Sequence, residues 1–502
     1  MGESELILAL DQGTSSSRAI VFDARARIRG AGQVELPTAY PRPGWVEQDP
    51  AQILSTQVIA ARDALAAAGV GAHEIRAIGI TNQRETTIAW DADGTPLAPA
   101  LVWQDRRTAD RCADLRSAGA ESSVRERTGL LLDPYFSATK MAWLLDALPD
   151  GRRRAADGDV RLGTVDTWLV ERLTGGRVRA TDPSNASRTL LFDLRDRDWS
   201  AALGETFGVP LAALPEIRSS DGDFGELDAS WLGAPIRVRG ILGDQQAALF
   251  GQACFGVGDA KNTYGTGCFL LMTTGADVPR PPSGLLATLG WSLGSPARIS
   301  YALEGSVFVA GAAVRWLRDG LGVISDAASV EPLAASVPDT GGVIVVPAFA
   351  GLGAPYWDPG ARGAVLGITA GTTAAHLARA TLEAIAHQTV DLVDALESGG
   401  APPLRALRAD GGAASNDLLL QVQADLLGRP VERPAIAETT ALGAALVAGF
   451  ATGLWSSLDE VAALNRPARV FEPQAPESWR RSMRDGWADA VARVRSREPG
   501  SG

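Results

Sequence analysis

At 502 residues the chain exceeds what one ordinary core organises, so two domains are expected. Hydrophobic residues at 46% and charged residues at 21% exclude disordered and fibrous classes. A formal net charge of -12 argues against nucleic acid or an anionic membrane surface as the main partner.

The start, "MGESELILALDQG", is acidic where a secretory leader carries basic residues, and its apolar run is short. No later run approaches the about 20 apolar residues of a membrane span. A cytoplasmic protein without a membrane anchor is expected. Cys112, Cys254 and Cys268 form no disulfide framework, and with three histidines they make no metal cluster.

In chain order, "ELILALDQGTSSSRAIVFDARARI" reads as strand, turn at Gly13, strand. Asp11 closes the first strand, where a carboxylate can hold magnesium through water. The turn residues Thr14, Ser15, Ser16 and Arg18 follow, so backbone N–H groups and hydroxyls can converge on phosphate. A plain hairpin with a solvated tip is the alternative.

A helix is expected from Pro50, capped by Asp49, to Ala68. The run Ile75–Ile80 then reads as a buried strand ending in "TNQRETT". Arg84 and Glu85 could grip a polyol, arginine donating to hydroxyls and glutamate accepting from them. The alternative is a surface ion pair. Tyr135 could add a hydroxyl, and Trp103 and Phe269 an apolar wall or ordinary core packing. "VRLGTVDTWLVERLTGG" repeats the strand-then-helix pattern of an α/β protein.

In "GILGDQQAALFG" a strand delivers Asp244 and Gln245 to a turn. Asp244 is a candidate general base; the alternative is a cap on a helix starting near Ala247. "AKNTYGTGCFLLMTTG" then echoes the first hairpin, so a duplicated domain with a cleft between copies is expected, 1–250 and 251–502. Next come a strand in "GGVIVVPAF", a helix over about 374–396, the strand "LRALRADGG" and a helix over about 416–427. In "LRADGGAASND" glycines let a flat base approach, while Asn416 could equally be an N-cap. A charged terminal helix with Trp479 and Trp487 closes the chain. No Gly-Lys-Ser/Thr stretch exists, which rules out a P-loop, and no GxGxxG follows a strand.

The strings "ALDQGTSSSR", "GITNQRETT", "DPYFSATK", "GDQQAALFGQ", "KNTYGTGCF" and "DGGAASND" resemble the FGGY carbohydrate kinase family, and within it the branch that phosphorylates glycerol. The resemblance runs from about Leu6 to Trp487. It implies an α/β fold of two RNase-H-like, actin-like ATPase domains closing on ATP and Mg²⁺. Carried to matching positions, Thr14, Ser15, Ser16 and Arg18 contact ATP phosphates. Arg84, Glu85, Tyr135, Asp244 and Gln245 hold glycerol. Thr266, Gly311, Gly412 and Asn416 contact the nucleotide from the second domain. Asp11 lies near the metal with Asp244, and Asp244 is the catalytic base.

Arg315 stands where close relatives carry glutamine near the nucleotide. "LDASWLGAPIRV" lacks the Gly-rich basic loop with which some relatives bind fructose 1,6-bisphosphate, and the histidine phosphorylated in others is missing. Neither regulation is expected, while a homo-oligomer, dimer or tetramer, is. A kinase for another polyol or a ketose is the alternative substrate reading. A non-enzymatic ATP switch of the same fold would need the phosphate cradle but not Arg84, Glu85 and Tyr135.

Overall fold

The computed structural model describes residues 5–294 and 298–496. Residues 1–4, part of the acidic start, and 497–502, the end of the expected second half, lie outside the described residues. Apolar runs bounded by glycine and polar turns become two mixed sheets.

In the first sheet, β1 (Leu6–Gln12) and β2 (Ser16–Phe22) are the arms of the first hairpin, closed by the Gly13 N–H donating to the Ser16 carbonyl at 3.0 Å. β3 (Ile28–Glu35), β4 (Ile75–Asn82) and β5 (Ile236–Gly243) give the order β5-β4-β1-β2-β3, with the short strand Glu226–Leu227 outside β5. The pairs β1–β2 and β2–β3 are antiparallel, whereas β1–β4 and β4–β5 are parallel.

The second sheet holds β6 (Ala260–Tyr264), β7 (Cys268–Gly275), β8 (Leu286–Leu293), β9 (Arg298–Val307), β10 (Leu407–Asp410), β11 (Val431–Pro434) and β12 (Pro467–Phe471). Its order is β8-β9-β7-β6-β10-β11-β12. Again a hairpin sits centrally, with an antiparallel strand beyond its second arm and two parallel strands beyond its first. The echo between the two hairpins therefore extends to whole sheets.

Among the helices are α1 (Pro50–Ala68), α2 (Asp244–Gly251), α3 (Ala374–Ser398), α4 (Asp417–Leu427), α5 (Thr439–Ala451) and α6 (Glu477–Val494). Asp49 caps α1 by accepting the Ala51 N–H at 2.8 Å, and Gly69, at φ 68°, ends it. α6 buries Trp487 and leaves its charged side outward. None of the described helices is long and apolar enough to cross a membrane.

Two expected strands form but stand outside the main sheets. Val160–Gly163 pairs antiparallel with Ile88–Asp91, and Ile344–Val346 with Ala364–Leu366, each as a separate two-stranded ribbon. A short apolar run specifies an extended backbone but not its partner.

α5 belongs to the later part of the chain yet packs on the first sheet, against Ile7, Ala9 and Ala77. Glycine permits this approach. A Cβ on Gly443 would overlap the Ala247 carbonyl of α2, and one on Gly79 would overlap the Ala444 carbonyl. Gly443→Ala should therefore cost about 1–3 kcal/mol through overpacking, despite alanine's better helix propensity. A thermal midpoint equal to or above the parent's would contradict this packing.

Candidate active site

Parallel strands bring distant residues into one row. Asp11 of β1 is in register with Thr81 of β4, and Thr81 with Leu242 of β5; one step on, Gln12, Asn82 and Gly243 align. Arg84, Glu85 and Asp244 follow directly, so they leave adjacent strands at the same edge, where α/β sheets place ligands.

A cleft of about 640 Å³ opens there. From the first half it is lined by Thr14, Ser15, Arg84, Glu85, Trp103 and Tyr135, with Asp244 and Gln245 at the start of α2; Thr266 and Phe269 face them from the second half. Asp11, Ser16, Arg18, Gly311, Arg315, Gly412 and Asn416 are not among its lining residues.

Arg84 and Glu85 are not a surface pair; they are 2% and 1% exposed. They are also not each other's nearest partners, at 3.9 Å. Arg84 donates to both oxygens of Glu304, at 2.7 and 3.0 Å, and its Nε stands 3.2 Å from Asp244 Oδ1. Glu85 accepts from Arg188 Nε at 2.7 Å, and Arg188 also reaches Glu304 at 3.0 Å. Two arginines and two glutamates thus form a closed buried set, with Asp244 at its cleft side.

Glu304 and Arg188 were not assigned a role from the sequence. A single carboxylate inside the apolar strand "ISYALEGSVFV" is a signal for Glu304, because a buried charge must be paired. Arg188 carries no comparable signal.

Asp244 is the first residue of α2, whose N-cap is Gly243, so the reading of Asp244 as a cap on a later-starting helix does not hold. Its side chain keeps 29% exposure toward the cleft. Burial raises its pKa, with Arg84 and Lys261 opposing. Burial also raises Asp11, to about 7; Arg18 pulls the other way, and the Asp244 and Glu438 carboxylates add to the rise. Burial likewise lifts Glu85 against the pull of Arg188 and Arg84. At Glu304 burial is outweighed by Arg188 and Arg84, which hold it at about 2.

The hairpin turn is tied to the aromatic side of the cleft. Trp103 Nε1 donates to Thr14 Oγ1 at 2.9 Å, and Trp103 meets Tyr135 edge-on with centroids 5.6 Å apart. Arg18 pairs with Glu438, the residue before α5, and donates to Gln33 at 3.1 Å. Ser16 accepts from Gln33 at 3.2 Å.

The remaining candidates gather around the second hairpin. Arg315 donates to Thr266 Oγ1 at 3.1 Å, and the Gly311 N–H donates to the Gly265 carbonyl at 3.0 Å. Asp410, in register with Thr263, ends β10; Gly411, at φ 85°, then turns the chain tightly against Tyr264. Beside Gly412 the space is open. Asn416 is indeed an N-cap, accepting the Leu419 N–H at 2.8 Å.

The residues suit a magnesium ion. Asp11 and Asp244 are two carboxylates whose charged forms burial disfavours, and Asp244 raises Asp11. Mg²⁺ is commonly held by one or two carboxylates plus phosphate oxygens and water. Among the described residues no group of three His, Cys, Asp or Glu side chains could hold a metal alone.

Residues 6–251 match the N-terminal domain, and residues 260–452 the C-terminal domain, of the FGGY family of carbohydrate kinases. A glycerol kinase of Bordetella parapertussis is 56% identical over 494 residues, covering 98% of this chain and 97% of that one. A glycerol kinase of Aromatoleum aromaticum is 56% identical over 490 residues, covering 97% and 98%. The crystal structure of Plasmodium falciparum glycerol kinase with ADP superposes with a TM-score of 0.93 at 36% identity, covering 98% of each chain.

Proposed function

Because this chain belongs to the FGGY family of carbohydrate kinases, we propose that it is a glycerol kinase, transferring the γ-phosphoryl group of ATP to a terminal hydroxyl of glycerol. The observation that carries the reading is the buried Arg84–Glu304–Arg188–Glu85 set opening onto Asp244 in a cleft between two phosphate-suited hairpins.

Glycerol offers only hydroxyls, so binding it needs fixed donors and acceptors rather than net charge. Arg84, Glu85, Tyr135 and Gln245 supply them, locked before substrate arrives. Such a site rejects an analogue lacking a hydroxyl by about 10⁴-fold, because its own buried groups go unpaired. Asp244 accepts the proton of the attacking hydroxyl, and burial, by raising its pKa, makes it a stronger base than an ordinary carboxylate. Thr14, Ser15, Ser16 and Arg18 orient the phosphates; Thr266, Gly311, Arg315, Gly412 and Asn416 take the nucleotide from the second half. Asp11, with Asp244, would hold Mg²⁺, which when bound neutralises phosphate charge. Positioning dominates, since phosphoryl transfer leaves the protein little covalent work. A cytoplasmic location fits a consumer of ATP with three unpaired, buried thiols.

Glycerol-dependent ADP release, compared with erythritol and xylulose, tests the proposal. kcat/KM should be highest for glycerol, with glycerol 3-phosphate as product; faster turnover of xylulose would replace the substrate assignment.

The phosphate side should show a trade between stability and activity. The Asp11 pKa is about 7 in the fold against an ordinary value of 3.8, so its protonated form stabilises the fold and that contribution disappears as pH rises from 3.8 through 7. Asp11→Asn should thus raise unfolding stability by about 1–3 kcal/mol at pH 8, with the gain shrinking toward pH 4, while kcat falls. Denaturant titrations at both pH values check the sign.

A further inference from the structure

Lysine holds only two of the chain's 47 basic positions; arginine takes the rest. Both lysines, Lys140 and Lys261, are 0% exposed. Burial pushes each ammonium down to about 8, although neighbouring carboxylates oppose it. A compact ammonium is a different donor from arginine's planar fork, and burying it is costly unless it is hydrogen-bonded. Lys140 donates to the Tyr135 carbonyl at 2.7 Å and the Pro134 carbonyl at 3.1 Å, holding the loop that presents Tyr135.

Lys261 makes the more informative contact. It lies on β6 of the second sheet, in register with Arg408 and Leu271. Its Nζ crosses to the first half and donates to Gln245 Oε1, with Thr263 Oγ1 as a second acceptor at 2.9 Å. Asp410, Arg84, Asp244 and Glu304 are the charges facing it. An ammonium can only donate, so this bond settles which end of the Gln245 amide faces where. The carbonyl is held by Lys261, which leaves the N–H₂ as the end offered to the cleft that Gln245 lines.

We propose that Lys261 is a positioning residue for the acceptor alcohol: it fixes the Gln245 side chain with its N–H₂ toward a glycerol hydroxyl and couples the second sheet to substrate recognition in the first half. The proposal rests on the glycerol kinase reading.

The test uses the full-length enzyme, with separate KM values for glycerol and ATP. Lys261→Met should raise the glycerol KM about tenfold, the loss of one oriented hydrogen bond, with the ATP KM changed by less than about twofold; kcat is compared on the pH plateau above the acid limb, because Lys261 also holds the Asp244 pKa down. Gln245→Met should do the same, and the double variant should be no worse than the larger single effect, because both remove one interaction. An unchanged glycerol KM in Lys261→Met, or two effects that multiply, overturns the proposal. If the parent enzyme releases no ADP with glycerol, the function reading falls and this proposal with it; an active parent with an indifferent Lys261→Met removes this proposal alone. Should Lys261→Met not fold by circular dichroism, the parent suffices. Isotope-labelled lysine gives two side-chain nitrogen resonances, that of Lys261 being the one displaced in Thr263→Val. Glycerol should shift it, and a resonance unmoved at saturating glycerol overturns the proposal.

Discussion

Asp244→Asn should lower kcat by about 10²–10⁴-fold, the usual contribution of a general base, while glycerol binding changes little. Asparagine keeps the shape and can still accept the Gln245 N–H, which Asp244 Oδ1 accepts at 2.7 Å, but it cannot take a proton. The variant should not lose stability, because burial penalises the charged form of Asp244 and the substitution removes that charge. Equilibrium binding of glycerol, single-turnover kinetics and a thermal melt separate the three effects. Turnover within tenfold of the parent would strip Asp244 of the role. In the parent, the acid limb of kcat/KM should lie above the ordinary carboxylate range, since burial lifts this group.

Glu304→Gln should be the most destabilising single change near the site, by about 3–5 kcal/mol. Glu304 is 0% exposed and is the carboxylate that both Arg84 and Arg188 share; neutralising it leaves two buried guanidinium groups with less than their due of negative charge. Arg84 then loses its fork-to-fork partner and its fixed orientation, so the glycerol KM should rise more than the ATP KM. The pH dependence has a definite sign. With a folded pKa of about 2 against an ordinary value of 4.5, Glu304 contributes stability that is present above 4.5 and lost as pH falls toward 2. Asp11, Glu85 and Asp244, all raised, act in the opposite direction. Acid denaturation of the parent should therefore retain a component below pH 4.5 that Glu304→Gln abolishes. A stability within about 1 kcal/mol of the parent would show that the set is dispensable.

Local signals in the sequence were reliable where the physics is local. Asp49 and Pro50 mark the start of α1 because capping and ring geometry act within a few residues. The start of α4 at Asn416 was legible for the same reason. The site was legible in part. Adjacent Arg84 and Glu85 suggested mutual pairing, yet their short contacts are with Glu304 and Arg188, far away in the chain, and no local pattern encodes those partners. Asp244 left capping and catalysis open, and the register of three parallel strands, a long-range property, is what sets it beside Arg84. The strands 160–163 and 344–346 were recognisable as strands but not as ribbons apart from the main sheets, since pairing depends on what else reaches the same space.

α5 lies against Ile7, Ala9 and Ala77, residues laid down more than three hundred positions earlier. While the chain is being synthesised, the apolar surface that these residues present must wait for residues 439–451 to leave the ribosome. Its completion is thus a late, long-distance event, and until then that apolar surface is open to aggregation.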